Sequence, residues 1–238
     1  MKILFAIVSC RPHAAYRQAI RETWLPEVPR DRADIFFFVG RDVQTSESDV
    51  IHLECEDDYE HLPSKVQAIA RWALEHKYEF MLKIDNDTVV LVEEFLTGGF
   101  DQHDFTGLLN TWNRVCPSPW GFFYTLSKKA MEIVISSTLP DHHNDESWVS
   151  QNLLAQGIHL HSDNRYCLYG GIKENFSVGC KRPPRKSKWL GTQSRFPDVP
   201  GAFAWAMYIE WLGYRNCPAE LNIKEMKRVY ATHRGLEE

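Results

Sequence analysis

Tyr78-Glu79-Phe80-Met81-Leu82-Lys83-Ile84-Asp85-Asn86-Asp87-Thr88 decides how the rest of the chain is read. Tyr78 to Ile84 is a mostly apolar run of strand length that leads straight into two carboxylates flanking a single residue. Upstream, Ile3 to Ser9 is continuously apolar, the pattern of a strand covered on both faces. His13 to Trp24 reads as a helix that stops before Pro26. Asp34 to Gly40 and Val50 to Cys55 read as two more strands. Leu62 to His76 places Val66, Ile69, Ala73 and Leu74 at helical spacing, with Pro63 tolerated in the first turn. Strands alternating with helices predict an α/β domain with a mostly parallel central sheet flanked by helices. In such sheets ligands bind beyond the carboxyl ends of the strands, which is where Asp85 and Asp87 fall.

Downstream the pattern loosens. Phe105 to Asn110, Gly121 to Leu126 and Ile158 to Ser162 read as strands. Ser127 to Ser137, with Ser127 as N-cap, and Asp145 to Gln156 read as helices. Gly170 to Pro200 is rich in Gly, Pro and basic residues and reads as a long loop or lid. Ala202 to Tyr214 and Ile223 to His233 are expected to be helical and to form a C-terminal tail. One domain over residues 1–238 is expected: 1–100 carries the first half of the sheet, 101–170 the second, and 171–238 the basic loop and terminal helices.

Composition narrows the classes. Of the 238 residues, 44% are apolar and 25% charged, which excludes disorder, collagen and a pure coiled coil. The net charge of −5 leaves no global basic field to grip nucleic acid. No run approaches the roughly 20 apolar residues of a membrane helix, so no transmembrane segment is expected. The Ile3 to Val8 run lacks a small-residue cleavage site after it and reads as a buried strand rather than a signal peptide. A soluble, cytoplasmic protein is the expectation. The six cysteines show no CxxC spacing, so no zinc site is expected, and their scatter fits reduced core thiols at least as well as disulfides.

Alternating carboxylates on a strand-end turn can both reach a hard divalent cation, which prefers oxygen ligands and often bridges protein carboxylates to substrate phosphates. The competing reading is a solvated turn in which Asp85 caps a backbone N–H.

Ordered blocks sharpen this. Tyr16-Arg17-Gln18-Ala19-Ile20-Arg21-Glu22-Thr23-Trp24 matches R-x-x-I-R-x-T-W, and Phe38-Val39-Gly40 ends the second strand. Asp58-Tyr59-Glu60-His61-Leu62-Pro63-Ser64-Lys65 follows D-x-Y-x-N-L-T-x-K, with Trp72 in the following helix. Lys83 to Asp87 follows K-x-D-D-D, Gly121 to Ser127 follows G-x-x-Y-x-L-S, and Asp145-Glu146-Ser147-Trp148-Val149-Ser150 follows E-D-V-x-V-G. Together the blocks resemble the β-1,3-galactosyltransferase family, glycosyltransferase family 31, in a distant, soluble form. The chain departs from the pattern at His61, Pro63 and Asn86, keeps only Gly121 of the glycine cluster, and reverses the acid pair at Asp145-Glu146.

The resemblance implies a GT-A-type nucleotide-sugar-binding fold and an inverting transfer of a hexose or N-acetylhexosamine from a UDP-sugar. The acceptor would be a saccharide or glycoconjugate hydroxyl, and the linkage β-1,3. It implies Mn²⁺ or Mg²⁺ held by Asp87, Asp85 at the ribose or the metal's waters, and a lesser part for Asn86. Asp145 and Glu146 are both candidates for the base that takes the acceptor proton; they would otherwise be helix N-terminal acids. Arg11 and Arg17 are candidate donor contacts. Arg21 is expected to pair with Glu22 or Asp58, and Lys65 to meet the donor or stand exposed on its helix. A late histidine ligand is expected among His159, His161 and His233, with His233 preferred. Lys181 to Arg195 carries six basic residues and no acid, and reads as a solvated loop or a lid over the diphosphate. Two rival readings are a metal-dependent phosphodiesterase or nucleotidyltransferase, which would recruit Glu93 and Glu94 to a second metal, and a non-catalytic sugar-binding domain.

Overall fold

A computed structural model of the chain describes residues 2–110, 116–163, 165–169, 204–207 and 219–235. Six strands alternate early with helices: β1 (Ile3–Val8), α1 (Ala14–Glu22), β2 (Ala33–Val39), β3 (Val50–His52), α2 (Leu62–Glu75), β4 (Phe80–Asp85), β5 (Thr88–Val90), α3 (Val92–Thr97) and β6 (Phe105–Leu109). There follow β7 (Pro119–Ser127), α4 (Lys128–Ser136), α5 (Asp145–Ala155), β8 (His161–Ser162), β9 (Tyr166–Tyr169), β10 (Ala204–Met207) and α6 (Ala219–Arg234).

The central sheet has seven strands in the order β3-β2-β1-β4-β7-β6-β8. Strands β3, β2, β1 and β4 run parallel, β7 is antiparallel to both β4 and β6, and β8 pairs parallel with β6. This is the expected α/β architecture with a mostly parallel sheet.

All six residues of β1 are buried, because helices cover both faces. Alternation along the strand divides them. Ile3, Phe5 and Ile7 join Ile20 and Trp24 of the α1 region, Phe95 of α3 and Met226 of α6. Leu4, Ala6 and Val8 join Val66, Ile69 and Ala73 of α2, Met131 of α4 and Val149 of α5. The sheet is therefore the middle layer of three, with α1, α3 and α6 on one side and α2, α4 and α5 on the other. Ser127 caps α4 as expected, accepting from the Ala130 N–H at 3.2 Å. Gly40 is required at the end of β2, since a Cβ there would stand 2.7 Å from that of Asp57.

One expected helix is corrected. Within Ala202 to Tyr214, residues Ala204–Met207 form a strand, β10. Ala-Trp-Ala-Met favours helix locally, but β10 pairs antiparallel with β5 and parallel with β9, and this pairing overrides the propensity. The three-residue β5 is too short to carry a periodic signal. The strand expected from Ile158 to Ser162 shortens to His161–Ser162. Cys10, Cys55 and Cys116 are free thiols. The basic segment 181–195 and the rest of 170–200 lie outside the described residues, as does 208–214. No helix among the described residues is long and apolar enough to cross a membrane.

Candidate active site

Strand register assembles the site. Asp85 closes β4 beside Val8 of β1, while Lys83 sits opposite Tyr124 of β7. Lys83 and Asp85 share the sheet face that carries Met81 and Tyr124, toward α5. At the start of α5, the Asn144 side chain accepts from the Ser147 N–H at 2.8 Å. This cap sets Asp145 and Glu146 in the first turn, where the helix dipole favours acids.

Lys83 is the pivot. It is 1% exposed. Its ammonium donates to Asp85 Oδ1 at 2.5 Å and to the Gly121 carbonyl, and lies 3.9 Å from Asp145 Oδ2. Burial alone would lower its pKa, but the Asp145 and Asp85 carboxylates outweigh that and hold it above the ordinary lysine value. Asp85 thus takes a buried ammonium as partner, in contrast to the turn-capping reading.

The two candidate bases separate. Asp145 is buried and accepts from the Tyr124 hydroxyl at 2.8 Å. Its carboxylate is tied to Lys83 and Tyr124. Glu146 is partly exposed, and its carboxylate lies against Gly121. Burial and then the Asp145 charge push the Glu146 pKa up to about 8, the range suited to a general base near neutral pH. A Cβ on residue 121 would stand 3.1 Å from Glu146 Oε2 and 3.3 Å from its Cδ. Gly121→Ala is therefore expected to shift the carboxylate and lower turnover by about tenfold to a hundredfold, with the melting temperature nearly unchanged. Activity measured beside thermal unfolding checks this; a fall confined to stability would show that the contact serves packing.

The turn Asp85-Asn86-Asp87 is held at its middle residue and just past its end. The Asn86 amide bonds His13 Nδ1 at 2.6 Å. Burial and then Arg17 lower the His13 pKa, and the ring nitrogen facing the Asn86 NH2 is the acceptor of that bond. Just past Asp87, the Thr88 carbonyl accepts from Trp24 Nε1 at 3.1 Å, which ties the tryptophan of the first block to the turn. The Asp85 and Asp87 carboxylates are hard oxygen donors and suit a cation that draws its other ligands from water and a diphosphate. No three His, Cys, Asp or Glu side chains converge as a metal cage among the described residues.

Other candidates fall elsewhere. His161 lies on β8, three strands from β4, stacked on His103 at 3.6 Å. His159 is exposed on the loop before β8. His233 is on α6, which packs against β5, but its side chain lies outside the described residues. Glu93 and Glu94 belong to the opposite face with α3, 3.7 Å from Arg32 and 3.9 Å from Arg234, so they do not join Asp85.

Among the basic candidates only Arg11 is exposed, its guanidinium donating to the Asp42 carbonyl at 2.6 Å. Arg17 is buried and holds Glu47 at 2.8 Å, Ser9 Oγ at 3.2 Å and the Cys10 carbonyl at 3.1 Å. Lys65 is buried too, donating to the Ser9 carbonyl at 3.0 Å and Asp57 Oδ1 at 2.8 Å. Both side chains fasten the β1 exit from inside, with Arg17 meeting Glu47 and Lys65 meeting Asp57, and Lys65 does not stand exposed on its helix. Arg21 pairs with Asp49 at 2.6 Å and Glu47 at 2.9 Å, not with Glu22 or Asp58.

The residues that sequence reasoning did not assign are Lys83, Tyr124, His13 and Asp57. Lys83 had a visible signal, a lysine inside a buried strand two residues before Asp85. Asp57 had none. Its carboxylate gathers Lys65 and the N–H groups of Gly40 and Arg11 at 2.7–2.8 Å, and these contacts outweigh burial to hold its pKa below the usual value.

Residues 15–105 match the family model described as Galactosyltransferase. The galactosyltransferase match takes in the Arg17 to Trp24 block, the Asp57 loop and the Asp85 to Asp87 turn, and ends before Tyr124, Asp145 and Glu146. Among solved structures, the chain is similar to a provisionally assigned nucleotide-diphospho-sugar transferase from Desulfovibrio desulfuricans G20. That similarity has 8% identity and a TM-score of 0.44 over 68% of this chain and 79% of the other. No curated protein matches the sequence.

Proposed function

We propose that this protein is an inverting glycosyltransferase that moves a hexose or N-acetylhexosamine from a UDP-sugar to a saccharide or glycoconjugate hydroxyl, forming a β-1,3 linkage. The observation that carries this reading is the meeting of Asp85 and Asp145 around buried Lys83 at the carboxyl end of β4, with the Glu146 carboxylate next in the chain and packed against Gly121. The galactosyltransferase match over the turn supports the reaction class.

The acceptor oxygen attacks the anomeric carbon while the bond from that carbon to the diphosphate oxygen breaks. The acceptor proton passes to the Glu146 carboxylate and UDP departs. Asp145, Lys83 and Tyr124 hold the geometry from beneath. Asp85 and Asp87 would hold Mn²⁺ or Mg²⁺, which supplies charge neutralisation to the departing diphosphate.

UDP release from a panel of UDP-sugars, with Mn²⁺ or with EDTA, tests the reading. Turnover of one donor is expected with Mn²⁺ and not with EDTA, and Asp87→Ala is expected to reduce it by about a hundredfold or more. Failure of every UDP-sugar to bind or turn over would overturn the proposal.

A further inference from the structure

Tyr59 is the most exposed large hydrophobic side chain among the described residues, at 65%. Such a ring offers an apolar face and a polar tip to a ligand. The turn is pinned from below. Asp58 Oδ1 accepts from the His61 backbone N–H at 3.0 Å and meets His61 Nδ1 at 2.6 Å, and the Leu62 N–H donates to the Tyr59 carbonyl at 3.4 Å. The side chain is presented outward from the entry to α2.

Its ring packs on His143, with centroids 4.8 Å apart and planes at 41°. His143 Nδ1 lies 3.5 Å from the Glu60 carboxylate. His143 also immediately precedes the Asn144 cap, and so stands at the entrance to the turn bearing Asp145 and Glu146. Local desolvation, then the charges of Glu146, Asp145 and Asp85, raise the pKa of the Tyr59 hydroxyl.

We infer that Tyr59 and His143 form an aromatic platform that receives a pyranose ring of the acceptor, with Glu60 and His143 bonding hydroxyls at its rim. The inference deepens the transferase reading and rests on it for the role of Glu146. A pyranose has an apolar C–H face edged by hydroxyls, which complements the negative face of an aromatic ring bordered by polar groups. The platform assigns the acceptor class as a saccharide, rather than a bare serine or threonine side chain.

Saturation-transfer NMR with free galactose, N-acetylglucosamine and lactose tests this on the full chain, without donor or turnover. At least one saccharide is expected to bind through its ring C–H protons. Tyr59→Ala is expected to weaken that binding about tenfold or more and Tyr59→Trp to restore it. UDP affinity, measured by calorimetry on the same samples, is expected to be equal in all three proteins and reports that each is folded. Unchanged saccharide affinity in Tyr59→Ala would overturn the platform, as would failure of all three sugars while a Ser/Thr peptide is glycosylated. Loss of UDP binding in the wild type would strike the transferase reading separately, leaving the saccharide result to be read by itself.

Discussion

Lys83→Met is expected to destabilise the fold by about 3–5 kcal/mol, the cost of leaving buried charge without its partner. The ammonium is enclosed, donates to Asp85 at 2.5 Å, and stands 3.9 Å from Asp145 with Glu146 in its field. Methionine fills much of the volume, so packing loss is small and the charge imbalance dominates. The imbalance also predicts a pH signature. Protonating the orphaned carboxylates relieves them, so the deficit relative to wild type should be larger at pH 8 than at pH 5. In the wild type, the raised lysine pKa means that its contribution is fully present below the ordinary lysine range and is lost only as pH rises through the folded-state value. Denaturant unfolding in EDTA at the two pH values checks this. Equal losses at pH 5 and pH 8 would reduce Lys83 to a packing role.

Glu146→Gln is expected to lower turnover by about 10²- to 10⁴-fold and, at pH 8, to raise stability by roughly 1–3 kcal/mol. The two effects share one cause. Burial and the Asp145 charge hold the Glu146 pKa near 8, so the folded protein favours the protonated acid. As pH rises from the ordinary carboxylate range to about 8, the unfolded chain has already released this proton and the folded chain has not, so stability falls. Glutamine removes the penalty, and the gain should vanish near pH 4. The wild-type rate should climb with pH through about 8 and be flat in the variant. A stabilising change that abolishes activity marks a site strained for function. An active Glu146→Gln protein would transfer the base role elsewhere.

Much of the frame was legible in the sequence because burial writes periodic patterns. The Ile3 to Val8 run is buried at every position, α2 begins and ends within a residue of expectation, and Ser127 caps α4. The carboxylate turn lies at the expected strand end. What sequence left open was decided by partners distant along the chain. Which of Asp145 and Glu146 stays accessible depends on Tyr124 and Lys83 closing over the first. Whether Arg17 and Lys65 meet a ligand or the fold depends on Glu47 and Asp57. The strand at Ala204–Met207 depends on β5, more than a hundred residues earlier in the chain.

That last pairing bears on synthesis. The segment leaving the carboxylate turn, Thr88–Val90, has its strand neighbour at Ala204–Met207, and α6 comes still later. A nascent polypeptide emerging from the ribosome can assemble β1 to β4 early and bring Trp24 to the Thr88 carbonyl, yet β5 waits for its strand neighbour until residue 207 has been translated. Truncated products stopping before that point should keep much of the central sheet, while the segment leaving the carboxylate turn lacks its strand partner.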